Sequence, residues 1–183
     1  VLVSKEHGIQ VLPPDINKSE TFFSTDGKTI RFGLAALKNV GVAVIEEIIT
    51  ERKANGDYKD LQDLTNRLSG LAINKRCIES LILSGAFDCF NKHRSQLMAV
   101  YTIAIDRSIQ QKKSVAIGQY NMFDSLLKDD KFANSLNYPN VNEYIPKIKL
   151  KYEKERKKKM VIRLFSRHIV LACVCILAAV VAV

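Results

Sequence analysis

The chain has 183 residues, and 28 Lys and Arg against 19 Asp and Glu give it a formal net charge of +9. Because 47% of its residues are hydrophobic, it can build a core, which excludes a wholly disordered chain, a collagen and a polytopic membrane protein. Its four cysteines are too sparse to indicate a disulfide framework and favour a reducing compartment.

The positive charge lies almost entirely at the C-terminal end. Residues 1–146 carry 18 basic and 17 acidic side chains, whereas residues 147–183 carry 10 and 2. The body of the chain is therefore nearly neutral, and long-range charge alone does not argue that it binds nucleic acid.

Residues 1–33 are predicted to form an extended segment and a small β-hairpin. Pro13 and Pro14 force an extended backbone and exclude a helix there. Further along, Asp26-Gly27, a pair favoured in tight hairpin turns, separates the strings FFST and KTIRF.

Residues 34–113 are predicted to be helical, because apolar residues recur at helical spacing and turn residues separate the repeats. The four or five predicted helices begin or end at Asn55-Gly56, Asp60, Gly70, Asn74, Gly85, Asn91 and about Lys113. The predicted fold class is therefore mainly α, with a small N-terminal β-hairpin.

The string LKNVGV, residues 37–42, has the order of residue types that a helix-hairpin-helix turn requires. It offers an apolar residue, an Asn that tolerates the left-handed conformation, an apolar plug and a glycine directly before a helix. Because Gly41 has no side chain, a phosphate can approach the N–H groups that open the helix, whose dipole favours an anion. The residues predicted to contact the DNA backbone, rather than the bases, are Lys38, Asn39, Val40, Gly41 and Val42. The alternative is an αα-hairpin with a glycine in its turn and no ligand.

A second, weaker hairpin is predicted around Asn74, the cap of a later helix. Lys75 and Arg76 in the first turn of that helix oppose its dipole unless they face a phosphate, so both are predicted DNA contacts. Ordinary solvated surface is the alternative for these two cations. Together the two motifs predict tandem helix-hairpin-helix units within residues 34–113.

Residues 114–146 are predicted to form a linker that carries a short binding motif. Helical periodicity fades there, and Gln119, Met122 and Phe123 combine two apolar anchors with a glutamine able to hydrogen-bond at the rim of a pocket. The alternative is that Met122 and Phe123 pack back onto the body.

Residues 147–183 are predicted to be a basic and apolar tail that is non-native or unstructured. The string KIKLKYEKERKKKM indicates a solvated helix, and the last 15 residues form an apolar run shorter than the roughly 17–25 residues of a typical membrane span. Three interpretations stay open: a tail anchor, a buried or aggregation-prone segment, and sequence that is not native coding. We expect residues 156–183 to lie outside the functional fold.

No catalytic site is recognisable in the sequence. It contains no Asp-x-Asp pair, P-loop, GxSxG or HExxH motif. A two-metal phosphoryl-transfer site needs converging carboxylates on rigid elements. We therefore predict no catalytic residues, no metal site and no cofactor in this chain, and whether it is part of an enzyme stays open on these motifs.

Taken together, these strings resemble one family, the alpha subunits of bacterial DNA polymerase III, which are C-family replicative DNA polymerases. The matching strings occur in the family's order: GIQVLPPDINKSE, IRFGLAALKNVG, NKRCIESLILSGAFD, GQYNMFD and KLKYEKE, from Gly8 to about Glu155. The resemblance implies a segment that runs from the end of the fingers through the helix-hairpin-helix region to an internal motif for the sliding clamp.

The resemblance also implies a function. The family performs DNA-directed DNA synthesis in DNA replication, as a nucleotidyltransferase that uses Mg²⁺ and catalytic aspartates of a palm domain upstream of Val1. It implies that Lys38 to Val42 contact duplex primer–template DNA, and that Gln119, Met122 and Phe123 contact the sliding clamp. Other replicase subunits are implied partners, a membrane is not, and the cytoplasm is the implied compartment.

After Glu155 the sequence departs from the family. Where the family continues with a Leu-Gly-aromatic stretch and Ser-x-His-Pro, this chain reads RKKKM, and residues 165–168 are only a displaced echo without the proline. A frameshift near the lysine run is one interpretation. Two alternatives to a polymerase segment stay open: a stand-alone, non-enzymatic DNA- or clamp-binding module, and a tail-anchored membrane protein.

Overall fold

The computed structural model of the chain describes residues 10–26, 29–68, 74–116 and 136–157. Within them a small sheet is followed by helices α1 to α5, which are Val42–Asn55, Leu61–Arg67, Lys75–Ser84, Arg94–Ala116 and Pro146–Lys157. Two short 3-10 turns, Leu34–Ala36 and Asp88–Phe90, precede α1 and α4. The predicted fold class, mainly α after a small β unit, is confirmed.

The sheet has three short strands in the order β1-β3-β2. β2, Ser24–Thr25, and β3, Thr29–Arg31, are antiparallel, as the predicted hairpin requires. The side chain of Asp26 accepts hydrogen bonds from the backbone N–H and the hydroxyl of Thr29, which closes the turn. β1, Gln10–Leu12, pairs in parallel with β3. This pairing was not predicted, because the two strands are far apart in the sequence and no local pattern marks them as partners.

The helix boundaries follow local capping chemistry. The carboxylate of Asp60 accepts a hydrogen bond from Asp63 N at 2.8 Å, and the amide oxygen of Asn74 accepts one from Cys77 N at 2.7 Å. Gly85 ends α3 in the left-handed conformation with φ +87°. These three boundaries were predicted, whereas α4 begins three residues after Asn91 and continues past Lys113 to Ala116. The predicted end at Gly70 lies outside the described residues.

The core lies between the helices. α4 packs against α2 and α3, and α5 packs against α3. The largest fully buried side chains are Phe87, Ile16, Leu34, Leu37, Ile45, Ile48, Leu61, Leu64, Leu68, Ile78, Leu81 and Ile82. Most of them come from the stretches where apolar residues recur every three or four positions, so burial of those faces provides the main stabilisation of the helical body.

A buried arginine ties the N-terminal extended segment to α1. Arg52 donates hydrogen bonds to the carbonyl oxygens of Ile16 and Ser19 at 2.9 and 3.0 Å, and it pairs with Glu20 at 3.1 Å. The N–H of Ile16 in turn donates to the carbonyl of Ala86 at 2.9 Å. These bonds satisfy backbone groups that the irregular segment cannot pair within itself.

The segment that precedes α5 is docked on the body rather than free. Leu136 is buried, and Tyr138 packs against the core cluster. The side-chain amide of Gln96 donates to the carbonyl of Pro139 at 3.0 Å. Residues 136–145 therefore run as an extended strap across α4, although the sequence predicted a linker over residues 114–146.

Of the predicted basic and apolar tail, residues 147–157 are not unstructured. They form α5, and the half-buried residues of this helix, Lys149, Tyr152, Glu153 and Arg156, recur at helical spacing on the face toward α3. The guanidinium of Arg156 pairs with Glu79 at 2.6 Å, so this residue belongs to the fold. The helix was predicted, but its docking was not, because long basic side chains read as solvated surface. Residues 158–183 lie outside the described residues.

Glu143 sits at the junction between the strap and α5. Its carboxylate accepts hydrogen bonds from Tyr144 N at 2.8 Å, from Lys149 Nζ at 3.1 Å and from Arg94 N at 3.2 Å. Burial alone would raise the pKa of Glu143. The three donors outweigh burial and hold the pKa at about 2.

We expect Glu143→Gln to lower the free energy of unfolding by about 1 kcal/mol at pH 7. This value allows for solvent screening, because the Glu143 side chain is 24% exposed. Since the folded pKa lies below the unfolded value, the stabilisation is complete above about pH 5 and is lost as the pH falls toward 2. Urea unfolding of both proteins at several pH values measures this. A difference that persists at pH 2 would contradict it, and Glu155→Gln, an exposed site on α5, is the control.

No helix in the described part of the chain is long and apolar enough to cross a membrane. The apolar run of residues 169–183, on which the tail-anchor alternative depends, lies outside that part.

Candidate nucleic-acid interface

The turn before α1 has the geometry that the helix-hairpin-helix motif predicts. Leu37 is buried and ends the first 3-10 turn, and Asn39 takes the left-handed conformation with φ +61°. Val40 is buried as the apolar plug, and Gly41 is exposed directly before α1. The first helix of this hairpin is therefore a single 3-10 turn, while the second is a full helix of 14 residues.

Gly41 is open toward solvent. A Cβ atom built on it would meet no heavy atom within 4 Å beyond Gly41 itself and its two chain neighbours. Its φ of −75° and ψ of +148° are ordinary for any residue at a helix N-cap, so the backbone conformation does not require glycine. The space above Gly41 is left free for a group that approaches the backbone.

The N-terminus of α1 has no side-chain cap and no acidic residue in its first turn. By contrast, α2 and α3 are capped by Asp60 and Asn74. The first N–H groups of α1 therefore lack the side-chain partner that the other two helices supply to themselves. With the positive end of the helix dipole, they form a site suited to an anion such as phosphate.

Two other helices hold the hairpin turn in place. The backbone N–H of Lys38 donates to the carbonyl of Arg156, near the end of α5, at 3.1 Å. The side-chain amide of Asn39 donates to the hydroxyl of Ser80 on α3 at 3.4 Å, and Arg156 donates to the same hydroxyl at 3.2 Å. Sequence reasoning missed Ser80 and Arg156, because no local pattern marks a partner 41 or more residues away.

One side of the hairpin is apolar and acidic. Val42 and Phe22 are 49% and 61% exposed and line a surface groove together with Glu20 and Glu46. These two carboxylates repel phosphate. The open approach to the N-terminus of α1 is therefore the side above Gly41.

The second predicted hairpin has weaker geometry for DNA. Lys75 and Arg76 are exposed in the first turn of α3, but Lys75 pairs with Asp106 on α4 at 3.4 Å. The Asn74 side chain already occupies the N–H of Cys77. Residues 69–73, which precede Asn74, lie outside the described residues. The structure therefore places Lys75 and Arg76 but does not describe the turn of this second hairpin.

The remaining predicted site residues are Gln119, Met122 and Phe123. All three lie outside the described residues, and their role stays a prediction from the sequence.

Within the described ranges, no group of three or more His, Cys, Asp or Glu side chains is arranged to hold a metal ion. The thiols of the two cysteines in these ranges have raised pKa values. Burial raises the pKa of Cys77 to about 11, and burial together with the nearby Asp15 carboxylate raises the pKa of Cys89 to about 12.

Comparison with known proteins agrees with this geometry. Residues 8–97 match the family described as helix-hairpin-helix motif. The chain is 37% identical over 151 residues to DNA polymerase III subunit alpha of Mycobacterium leprae and 37% identical over 158 residues to that of Chlamydia trachomatis. It is 38% identical over 152 residues to that of Vibrio cholerae.

These alignments cover 82%, 84% and 82% of this chain but 13% of the length of each relative. Membership of one family thus explains both the sequence resemblance in residues 8–155 and the observed hairpin geometry. The chain belongs to the DNA polymerase III alpha subunit family, of which it spans a segment that contains the helix-hairpin-helix motif.

Proposed function

We propose that this chain supplies a bacterial replicative DNA polymerase with a contact to the backbone of duplex DNA, made by the hairpin Lys38–Val42. The observation that carries the proposal is the exposed, uncapped N-terminus of α1 beneath an open Gly41. The helix-hairpin-helix match over residues 8–97 supports it. Template-directed synthesis with Mg²⁺ belongs, in this proposal, to the whole polymerase.

The contact is independent of base sequence, because backbone N–H groups and a helix dipole recognise a phosphate and not a base edge. One or two hairpins make about two to four phosphate contacts, which gives a log–log salt slope of roughly −2 to −4. The role of such a contact is to hold the primer–template duplex in register while the sequence beneath it changes.

The test uses Gly41→Asp, because this substitution has opposite effects on folding and on DNA binding. An N-cap aspartate accepts hydrogen bonds from the first-turn N–H groups, so we expect the fold to gain about 0.5–1 kcal/mol. The same carboxylate occupies the donors and repels phosphate, so we expect duplex affinity at low salt to fall about tenfold or more. Fluorescence anisotropy with a labelled duplex and thermal unfolding measure the two effects.

Ala54→Asp is the charge-matched control for Gly41→Asp. It places the same charge at an exposed site of α1, about 18 Å away along the helix. If both variants weaken duplex binding equally, or if Gly41→Asp binds like the original protein, the hairpin is only structural.

A second contact, with the sliding clamp, forms part of the proposed function. Its support is the residue types of Gln119, Met122 and Phe123 and the membership of the chain in a replicative polymerase family. Met and Phe fill an apolar pocket, and Gln hydrogen-bonds at its rim. Together with the hairpin, this motif links the enzyme to both the duplex and the clamp that encircles it. The other replicase subunits are proposed partners of the whole polymerase.

A further inference from the structure

The outward face of α5 carries a row of three lysines. Lys147, Lys151 and Lys154 are spaced by four and three residues and therefore project within an arc of about 60°. All three are exposed. We name this row the lysine stripe.

The docking of α5 fixes the direction in which the lysine stripe points. On the opposite face of the helix, Glu153 pairs with the buried Arg94 at 3.0 Å and Arg156 pairs with Glu79 at 2.6 Å. These contacts hold both the position and the rotation of α5 on the body. The stripe is therefore a fixed feature of the surface and not a flexible charged tail.

The lysine stripe is not neutralised by the rest of the fold. Lys149, on the docked face, pairs with Glu143 at 3.1 Å, and Lys75 pairs with Asp106. Among the described residues, no carboxylate lies within 4.0 Å of the ammonium groups of the stripe. Exposed Glu155 flanks the stripe, which leaves an excess of two positive charges on this face.

The lysine stripe ends beside the proposed DNA-binding hairpin. The carbonyl of Arg156 accepts the backbone N–H of Lys38 at 3.1 Å, and Lys154 is less than one helical turn before Arg156. α5 is about 18 Å long, which corresponds to the length of about five base pairs of duplex. The helix thus extends away from the hairpin over a distance that one duplex can follow.

We propose that Lys147, Lys151 and Lys154 form a second phosphate-binding surface, which holds the same duplex as the Lys38–Val42 hairpin. This inference rests on the proposed function and deepens it. Exposed ammonium groups that lack carboxylate partners bind phosphates and release the counterions of DNA. The partner is duplex nucleic acid rather than an anionic lipid surface, because the helix that carries the stripe is joined to a helix-hairpin-helix turn by a direct hydrogen bond from Lys38 N–H to the Arg156 carbonyl.

The test compares two triple variants of the full chain. In the first, Lys147, Lys151 and Lys154 are replaced by Gln. In the charge-matched control, the exposed Lys18, Lys59 and Lys113 are replaced by Gln. Binding to a 30-base-pair duplex is measured by anisotropy between 25 and 200 mM KCl, a range over which the Debye length falls about threefold. The Gly41→Asp variant is measured in parallel.

We expect the stripe variant to have a log–log salt slope shallower by about 2 to 3 and an affinity at low salt reduced at least tenfold. The control variant is expected to keep the slope. If both triple variants change the slope equally, or if the stripe variant keeps the slope of the original chain, the inference is wrong. The hairpin proposal survives in either case when Gly41→Asp weakens binding.

Two further outcomes are separable. If the stripe variant loses slope while Gly41→Asp binds normally, the stripe is supported and the hairpin proposal fails. If the original chain does not bind duplex but binds vesicles of phosphatidylserine and phosphatidylcholine through the stripe, both proposals are overturned.

Discussion

Replacing Arg94 with Met is expected to lower the free energy of unfolding by about 2–4 kcal/mol. Arg94 is only 5% exposed, and its guanidinium forms a two-pronged pair with Asp88 at 2.6 and 2.8 Å. A third nitrogen donates to Glu153 at 3.0 Å. Burial lowers the pKa of Arg94, and the two carboxylates outweigh burial, so the net effect raises it.

The expected loss of stability is large because both carboxylates stay in the same partly buried positions when the cation is removed. Glu153 is only 25% exposed, so it loses a charge-assisted hydrogen bond at a position that is largely shielded from water. Asp88 is closer to water and loses less, which is why the expected value is below that of a fully buried pair.

Urea unfolding measures the change in stability, and hydrogen exchange in residues 146–157 reports whether α5 detaches first. Arg107→Met, an exposed arginine on the same helix, is the matched control and should change stability by less than about 0.5 kcal/mol. Arg94→Lys keeps the charge but not the two-pronged geometry, so it should recover only part of the loss. A loss below about 1 kcal/mol in Arg94→Met would show that the pair contributes little.

The second large effect concerns the proposed clamp contact. Changing Met122 and Phe123 together to Ala is expected to weaken binding to a purified bacterial sliding clamp by about 2–4 kcal/mol, or roughly 30- to 1,000-fold. The reason is that, in the proposed motif, both side chains are the apolar anchors and Gln119 is the polar contact. Surface plasmon resonance with the full chain and immobilised clamp measures the affinity.

The matched control lies in the same stretch of sequence. Leu126→Ala with Leu127→Ala removes two apolar side chains a few residues later and should leave clamp affinity within about threefold. Equal losses in both double variants would indicate general stickiness of this stretch. Unchanged binding in the Met122 and Phe123 variant would refute the assignment.

Several parts of the fold follow from the sequence because the interactions are local. Asp60 and Asn74 cap their own helices through N–H groups three residues away, and Gly85 supplies the left-handed residue that ends α3. The hairpin motif is equally local. Asn39 takes positive φ, and Val40 is buried between the elements it joins. Short-range chemistry of this kind is visible in any single sequence.

The position of α5 could not be predicted in this way. Its string of lysines and glutamates has the composition of a solvated helix, although Glu153 and Arg156 form ion pairs on its docked face. Their partners, Arg94 and Glu79, are 59 and 77 residues away in the chain. Pairing over such distances depends on how α3 and α4 have already packed, which no local pattern encodes.

The amino-acid sequence by itself determined the family, the helical class, the caps and the hairpin turn before α1, because these depend on residue type and short spacing. Only the tertiary structure decided that α5 closes the fold beside that hairpin, with the Arg156 carbonyl bonded to the Lys38 N–H. It also decided that Lys75 is paired with Asp106. The physical reason is that hydrogen bonds and ion pairs between distant segments form only after the buried apolar faces have set the helices against one another.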